Sequence, residues 1–212
     1  MNIYCTNVIP VPMSDSPVES DIWYNSISFT EDTIYHIVAP SGTGKTSLVS
    51  FLFGIRNDYH GTILFDNTDI SSFNMNDWSN IRRSEISIVF QGLALFPDLT
   101  VLENITIKNK LTGYKSTAKI LSLISEFGLD KHTHKPAQFL SFGQKQRVAI
   151  IRALCQPFSV LLLDEPFSHL DTDNVHTCLN VIEQETRARG ATALITSLNH
   201  FSYTQSQHVL NL

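Results

Sequence analysis

Three short segments contain residue types and spacings that suit phosphate chemistry. Residues 39–46 (APSGTGKT) combine glycines with a lysine and a threonine, and residues 160–166 (VLLLDEP) end an apolar run in two acids. A glycine-rich loop exposes backbone N–H groups to phosphate oxygens, its lysine reaches the β- and γ-phosphates, and its threonine hydroxyl binds magnesium. In residues 140–144 (LSFGQ) a serine and backbone amides stand at the start of a helical pattern, where anions bind.

The elements on either side of the glycine-rich loop support a phosphate-binding role. Residues 33–38 (TIYHIV) read as a buried strand, and residues 46–54 (TSLVSFLFG) as a helix with an apolar face that Gly54 can end. A plain Gly/Ser turn is the alternative, but strand, loop and helix in this order favour the phosphate loop. Ala39 replaces the usual opening glycine, which we expect the loop to tolerate. The predicted nucleotide contacts are Pro40, Ser41, Gly42, Thr43, Gly44, Lys45, Thr46 and Ser47.

The two acids follow a continuous apolar run, residues 160–163, which predicts a central strand of a parallel sheet covered on both faces. Ligands of open α/β sheets bind outside the carboxyl ends of the strands. Asp164 and Glu165 should therefore face the same crevice as the phosphate loop. Asp164, with Thr46, would hold Mg²⁺, and Glu165 would act as the general base that polarises an attacking water.

These motifs, in this order, resemble the ATP-binding subunit of an ATP-binding-cassette (ABC) transporter, most closely the lipoprotein-release, macrolide-export and cell-division branch. The resemblance covers nearly the whole sequence. It implies that LSFGQ contacts, through Ser141, Gly143 and Gln144, the ATP held by another subunit. It also implies that Gln91, after the segment IVF, is a catalytic residue that touches magnesium and water. Asp171, in the segment SHLD, would belong to a loop that crosses the dimer interface. The alternative is that Asp171 is the N-cap of a helix at 172–189, and the two roles are compatible.

The implied fold is the α/β fold of a P-loop NTPase, with a mostly parallel central sheet, an N-terminal antiparallel β subdomain and an inserted α-helical subdomain. The whole sequence, residues 1–212, would form one ABC ATPase domain. Residues 1–91 and 157–212 would form the nucleotide-binding core, and residues 92–156 the helical subdomain. Local patterns add a strand at 61–66, a helix at 118–127 that ends at Gly128, and a helix at 172–189. After residue 140 we expect helix, strand, helix, strand, helix and strand.

The implied function is ATP binding and Mg²⁺-dependent hydrolysis by a head-to-tail dimer, either a homodimer or a heterodimer with another ABC ATPase. The dimer would power a transmembrane permease and would lie in the cytoplasm at the inner face of the cell membrane, contacting the membrane only through that permease. One alternative is a degenerate cassette that binds ATP and gates a membrane partner with little hydrolysis. Another is a soluble ABC ATPase of DNA repair or translation, but the long coiled-coil insertions or second cassette typical of that group are missing from the sequence.

Two departures from the family pattern affect the catalytic residues. Phe142 stands where the family has glycine in the signature segment, beside the expected γ-phosphate. The switch histidine of the family aligns with Leu198, and His200 lies two residues further on. We carry His200 as the candidate catalytic histidine, with a solvent-exposed histidine at a helix start as the equal alternative.

Recognition of the adenine base is weakly encoded. The family stacks an aromatic side chain on the base near the position of Pro12 or Met13. Tyr4, Trp23 and Tyr24 are the nearby aromatic residues, but none has the expected spacing, and such residues are more often part of a core. We therefore expect weak or poorly base-selective ATP binding, with Met13 available to pack on the ring.

Composition excludes several other classes of protein. The 212 residues contain 15 Lys and Arg against 20 Asp and Glu, a net charge of −5, so a nucleic-acid partner is not expected. There is no apolar run long enough to span a membrane, and the first 44 residues contain no Lys or Arg, which argues against a leader peptide. The 3 cysteines lack metal-site spacing and are expected to be reduced thiols.

Overall fold

The computed structural model describes residues 1–15, 19–200 and 207–212, whose strands form a five-stranded and a four-stranded sheet. The strands are β1 (Ile3–Pro10), β2 (Ser26–Phe29), β3 (Ile34–Val38), β4 (Tyr59–Phe65), β5 (Thr68–Asp69), β6 (Ile86–Val89), β7 (Val160–Asp164), β8 (Thr192–Ser197) and β9 (Gln207–Asn211). The α-helices are α1 (Lys45–Leu52), α2 (Met75–Ser84), α3 (Val101–Asn109), α4 (Thr117–Glu126), α5 (Phe142–Leu154) and α6 (Thr172–Arg187).

The five-stranded sheet, in the order β6-β7-β8-β3-β9, is parallel throughout and buried on both faces. Leu161 and Leu163 of β7 face an apolar layer that includes residues of α3 to α6. Val160 and Leu162 face a second layer, built with α1 and the antiparallel sheet. Side chains of a strand alternate between faces, so a strand covered on both sides is apolar throughout. The carboxyl ends of these strands form one edge, where the loops after β3 and β7 lie side by side.

In the antiparallel sheet the strand order is β2-β1-β4-β5. Through β1, this sheet positions the N-terminal residues near the carboxyl edge of the parallel sheet. The register between β1 and β4 shifts between Thr6 and Ile9. At this bulge Gly61 has φ +92°, and a Cβ there would lie 2.4 Å from the Asn7 carbonyl oxygen, so only glycine fits. Beyond the bulge β1 ends at Pro10, and the chain turns toward the phosphate loop.

A buried amide shapes the segment between β6 and α3. The Asn104 side chain, fully buried, accepts a hydrogen bond from the Phe96 N–H at 2.8 Å and donates to the Phe96 and Leu99 carbonyls at 3.0 Å. The next helix begins with a capping box, in which Thr100 and Glu103 each bond the other's backbone N–H. These hydrogen bonds give partners to backbone groups of Phe96 and Leu99. They therefore stabilise the conformation of the segment that connects Gln91 to α3.

The α/β fold predicted from the sequence, with a parallel central sheet and an N-terminal antiparallel sheet, is confirmed. Individual boundaries differ by one or two residues. The helix predicted at 46–54 begins one residue earlier, at Lys45, and ends at Leu52, with Gly54 in the left-handed region at φ +69°. The strand predicted at 61–66 begins at Tyr59, because it pairs with β1 beyond the bulge.

The helical predictions after residue 92 agree with the structure except at their ends. The helix predicted at 118–127 begins at Thr117 after its cap, and the helix predicted at 172–189 ends at Arg187. The third helix predicted after residue 140 would lie between β8 and β9 and falls on 201–206, outside the described residues. The division into a core and a helical subdomain stays a prediction.

Candidate active site

The loop after β3 wraps around a buried tryptophan. Gly42 and Gly44 have φ of +84° and +99°, a region that favours glycine. The Trp23 Nε1–H donates to the Thr43 carbonyl at 2.9 Å, and a Cβ on Gly44 would lie 2.9 Å from Trp23 Cζ2. Ala39, in contrast, is buried and does not have a positive φ, so its methyl group causes no backbone strain. The expectation that this alanine is tolerated therefore has a structural reason.

Lys45 joins the loop to the second acid. Its ammonium donates to the Ala39 and Pro40 carbonyls at 2.8 Å each and lies 3.2 Å from Glu165 Oε1. The Lys45 side chain is only 4% exposed and the Glu165 side chain 12% exposed. The three contacts match the three donors of an ammonium group. The side chain is thus held at the carboxyl edge of the sheet, directly beside the acid predicted to be the general base.

Asp164 accepts two short hydrogen bonds from threonine hydroxyls. Thr46 Oγ1 donates to Asp164 Oδ2 at 2.8 Å, and Thr196 Oγ1 donates to Asp164 Oδ1 at 2.8 Å. Burial raises the pKa of the Asp164 carboxyl, and these two hydrogen bonds oppose that shift. The donor set is hard oxygen, which is the chemistry Mg²⁺ prefers. Thr46 and Asp164 therefore fit the predicted metal-binding role.

Gln91 and the backbone of Glu165 complete this edge. Gln91 Nε2 lies 3.4 Å from Glu165 Oε2, so the two predicted catalytic residues are neighbours. Glu165 has φ +48°, unusual for a non-glycine residue, and its N–H donates to the Thr196 carbonyl at 3.2 Å. Strained backbone of this kind occurs at functional sites. Residues of the phosphate loop, together with Gln91 and Glu165, line a cavity of about 330 Å³.

His200 is not among the described residues that line the phosphate-loop cavity, but it shares a second cavity with Glu165. Both residues line a cavity of about 280 Å³, together with Leu198. His200 is exposed, and its ring packs edge-on against the ring of His36, with centroids 5.8 Å apart. His36 Nε2 lies 2.7 Å from Ser197 Oγ, which donates to the Asn199 carbonyl at 2.6 Å. A buried histidine in β3 thus supports the turn that carries the candidate catalytic histidine.

The signature segment forms the start of α5. Ser141 is the N-cap, and its Oγ accepts the Gln144 N–H at 3.2 Å, while the Gln144 side chain accepts the Ser141 N–H at 3.0 Å. Gly143 packs so closely that a Cβ would lie 2.9 Å from the His169 carbonyl oxygen. The Phe142 ring is half-exposed and lies against the His169 ring, with centroids 4.3 Å apart. The phenylalanine is thus held by the loop that follows the two acids.

Asp171 is the N-cap of α6, as its alternative interpretation predicted. Its carboxylate accepts the Asn174 N–H at 2.9 Å, and this hydrogen bond lowers the pKa of Asp171. Asp171 and Ser141 line a cavity of about 330 Å³ that shares no lining residue with the phosphate-loop cavity. Within one chain, therefore, the structure does not bring the signature segment to the phosphate loop.

The aromatic residues near the N-terminus do not line the phosphate-loop cavity. Trp23 is buried beneath the loop, and Tyr24 donates its hydroxyl to the Ser14 carbonyl at 2.8 Å. Pro12 and Met13 do line the cavity. This agrees with the prediction that Met13, rather than an aromatic side chain, is available to the base.

Sequence reasoning missed two residues of the site. Thr196 was not singled out, although it is the polar residue that follows the apolar residues 193–195 of β8, and β8 pairs Thr196 directly with Asp164 of β7. Arg56 was also missed. It lines the phosphate-loop cavity and donates to Ser47 Oγ at 2.9 Å. No local motif marks Arg56, because its role depends on the return of the chain after α1.

Fold and site together define a nucleotide-binding cassette, and comparison with known proteins names the family. The sequence matches the family model for ABC transporters over residues 24–168, and the chain belongs to this family. It is 35% identical over 185 residues to the ABC transporter ATP-binding protein YtrE of Bacillus subtilis, covering 86% of this chain and 79% of that protein. The family predicted from the motifs is therefore confirmed.

Further relatives agree with that assignment. The lipoprotein-releasing system ATP-binding protein LolD of Buchnera aphidicola is 34% identical, over 74% of this chain and 70% of that protein. Among solved structures, a dimeric ATP-binding cassette in a post-hydrolysis state, bound to ADP and Pi, superposes with a TM-score of 0.78. That similarity covers 93% of this chain and 88% of the other, at 25% identity. No helix of the described residues is both long and apolar enough to cross a membrane.

Proposed function

We propose that this chain binds and hydrolyses ATP as one half of a head-to-tail cassette dimer. The observation that carries the proposal is the convergence of Lys45, Thr46, Asp164 and Glu165 at one edge of the parallel sheet, with Lys45 Nζ 3.2 Å from Glu165 Oε1. This arrangement provides a cation for the phosphates, oxygen ligands for a metal and a carboxylate for water.

The Lys45–Glu165 contact suggests how ATP binding would lead to hydrolysis, because the phosphates and Glu165 compete for the same ammonium group. The Glu165 carboxylate pairs with the Lys45 ammonium, whose Nζ lies 3.2 Å from Glu165 Oε1. Phosphate oxygens on the loop would take the place of Glu165 as partners of Lys45. Glu165 would then accept a proton from water, and the Gln91 amide, whose Nε2 lies 3.4 Å from Glu165 Oε2, would orient that water.

Thr46, Asp164 and Gln91 are the residues we assign to Mg²⁺. When bound with ATP, Mg²⁺ would neutralise phosphate charge. Thr196 donates to Asp164 Oδ1 and Thr46 donates to Asp164 Oδ2, so both oxygens of the carboxylate are held in place by threonine hydroxyls. We retain His200 as a residue that completes the site near Glu165, with which it shares a cavity.

Two further features support the dimer and its membrane partner. The signature residue Ser141 and the phosphate loop line separate cavities, so a second cassette is needed to bring them together. A cavity of about 440 Å³ is lined by apolar side chains, among them Phe90, Ile107 and Leu111, and by three cationic side chains, those of Arg82, Lys108 and Arg152. We assign this cavity to the transmembrane permease, which places the dimer at the cytoplasmic face of the membrane. ATP bridges only the closed dimer, so its binding drives closure.

Steady-state ATP hydrolysis by the purified chain and its Glu165→Gln variant tests this function. We expect turnover to fall by at least about 100-fold in the variant, because the general base is lost, while ATP binding is retained. Lys45→Ala should instead lose ATP binding itself. Unchanged turnover in Glu165→Gln would remove this residue from its role. ATP binding without turnover in the unmodified chain, even with its permease, would favour the degenerate cassette.

A further inference from the structure

The phosphate-loop cavity has two ends of different chemistry. Gln91, Glu165 and Lys45 mark the end where the terminal phosphate reacts. The remaining lining residues beyond Ser47 are Pro10, Pro12, Met13 and Arg56. A nucleotide bound with its phosphates on the loop would place its nucleoside in the rest of this cavity, where these four residues are available to contact it. None of the described residues that line this cavity is Phe, Tyr or Trp, and Arg56 supplies the planar group with delocalised π electrons.

Hydrogen bonds from its N–H groups to Asp58 and Ser47 hold the Arg56 guanidinium in place. Nε and Nη2 donate to the two carboxylate oxygens of Asp58, at 2.8 Å and 2.5 Å, and Nη1 donates to Ser47 Oγ at 2.9 Å. One face lies over the buried Phe51 ring, with Cζ 5.4 Å from the ring centroid. Arg56 nevertheless remains 36% exposed. Because Arg56 also lines the phosphate-loop cavity, part of this fixed side chain is accessible from the cavity.

This geometry favours a planar ligand over a phosphate. Asp58 already neutralises the guanidinium charge, and its own carboxylate would repel a phosphate group placed against the same edge. A flat face held rigid by three hydrogen bonds and an aromatic ring is suited to stacking, which needs neither net charge nor free N–H groups. Pro12 and Met13 would cover the base from the other side of the cavity.

We propose that the Arg56 guanidinium stacks on the base of the bound nucleotide and replaces an aromatic side chain in that role. The proposal rests on the proposed nucleotide site, which the Lys45→Ala variant tests separately. Stacking requires the plane of the guanidinium, whereas an electrostatic role requires only positive charge. Arg56→Lys keeps the charge and removes the plane, and is therefore the decisive substitution.

The experiment measures binding by calorimetry with two probes, the non-hydrolysable ATP analogue AMP-PNP and inorganic tripolyphosphate, which lacks a nucleoside. We expect Arg56→Lys and Arg56→Ala to weaken AMP-PNP binding by about 5- to 30-fold and to change tripolyphosphate binding by less than about twofold. Arg187→Ala is the matched control, because Arg187 is also an exposed, ion-paired arginine but lies on α6. Thermal melting of each variant verifies that it folds.

Three results would overturn the proposal. If Arg56→Lys bound AMP-PNP as tightly as the wild type, the positive charge of residue 56, rather than a planar group, would account for its contribution to binding. An equal loss for tripolyphosphate would place Arg56 on the phosphates. No loss for either probe in Arg56→Ala would limit Arg56 to a structural role. If wild-type protein bound neither probe, or Lys45→Ala bound both normally, the nucleotide site itself would be wrong.

Discussion

The buried histidine of β3 makes the stability of this cassette depend on pH. His36 is fully buried, and its Nε2 lies 2.7 Å from Ser197 Oγ. Because the Ser197 hydroxyl donates to the Asn199 carbonyl at 2.6 Å, Nε2 must carry the proton and act as donor. The neutral ring therefore satisfies this network. A second proton would place a buried positive charge 5.8 Å from the His200 ring.

The size of the effect follows from the pKa of His36. Burial, and secondarily His200, lower the pKa of His36 from 6.5 to about 4. In the unfolded chain the ring regains its ordinary pKa and binds a proton more readily than in the folded protein. The contribution of His36 to the free energy of unfolding is therefore fully present above pH 6.5 and is lost as the pH falls toward 4. The shift corresponds to about 3 kcal/mol, at about 1.4 kcal/mol per pH unit.

His36→Gln provides the test, because glutamine can still donate to Ser197 but does not titrate. The free energy of unfolding would be measured in urea between pH 7.5 and 4.5, with tryptophan fluorescence as the signal. We expect the stability difference between wild type and variant to shift by about 2 kcal/mol in favour of the variant as the pH falls. All other titrating groups are common to both proteins, so the difference isolates His36.

A second variant separates the two causes of the shift. In His200→Gln the electrostatic contribution is removed but burial remains, so the pH-dependent loss should become smaller without disappearing. A stability difference between wild type and His36→Gln that is constant from pH 7.5 to 4.5 would refute the reasoning. It would mean that the folded protein accommodates a charged His36, for example by opening the turn at Ser197.

Two further predictions concern the phosphate loop and the signature segment. Gly44→Ala should destabilise the fold by about 1 to 3 kcal/mol in urea unfolding, because φ is +99° and the new Cβ meets Trp23 at 2.9 Å. Gly113→Ala, at φ +63° with nothing within 4 Å, is its control and should cost less; equal losses would exclude the Trp23 contact as a cause. Phe142→Gly should change ATP turnover by less than about threefold, since its ring is already held on His169. An increase of tenfold or more, roughly 1.4 kcal/mol, would mean that the ring obstructs closure.

The sequence determined the parts of this protein that depend on neighbouring residues. The phosphate loop could be predicted because glycine spacing, a preceding apolar strand and a following helix are all local. The strand that ends in Asp164 and Glu165 could be predicted because burial on both faces makes every residue of 160–163 apolar. The helix N-caps at Ser141 and Asp171 could also be predicted from the sequence, since each side chain accepts a hydrogen bond from a backbone N–H only three residues further on.

Only the tertiary structure decided which distant residues support these motifs. Thr196 reaches Asp164 because β8 lies beside β7, and His36 reaches Ser197 because β3 lies on the other side of β8. Arg56 enters the cavity wall because the chain returns after α1. The Thr196 and His36 contacts join residues 32 and 161 positions apart, and strand order is set by the packing of whole layers rather than by any local pattern. The hydrogen bonds of Arg56 are local, but the cavity wall that it joins also contains distant residues such as Pro12 and Gln91.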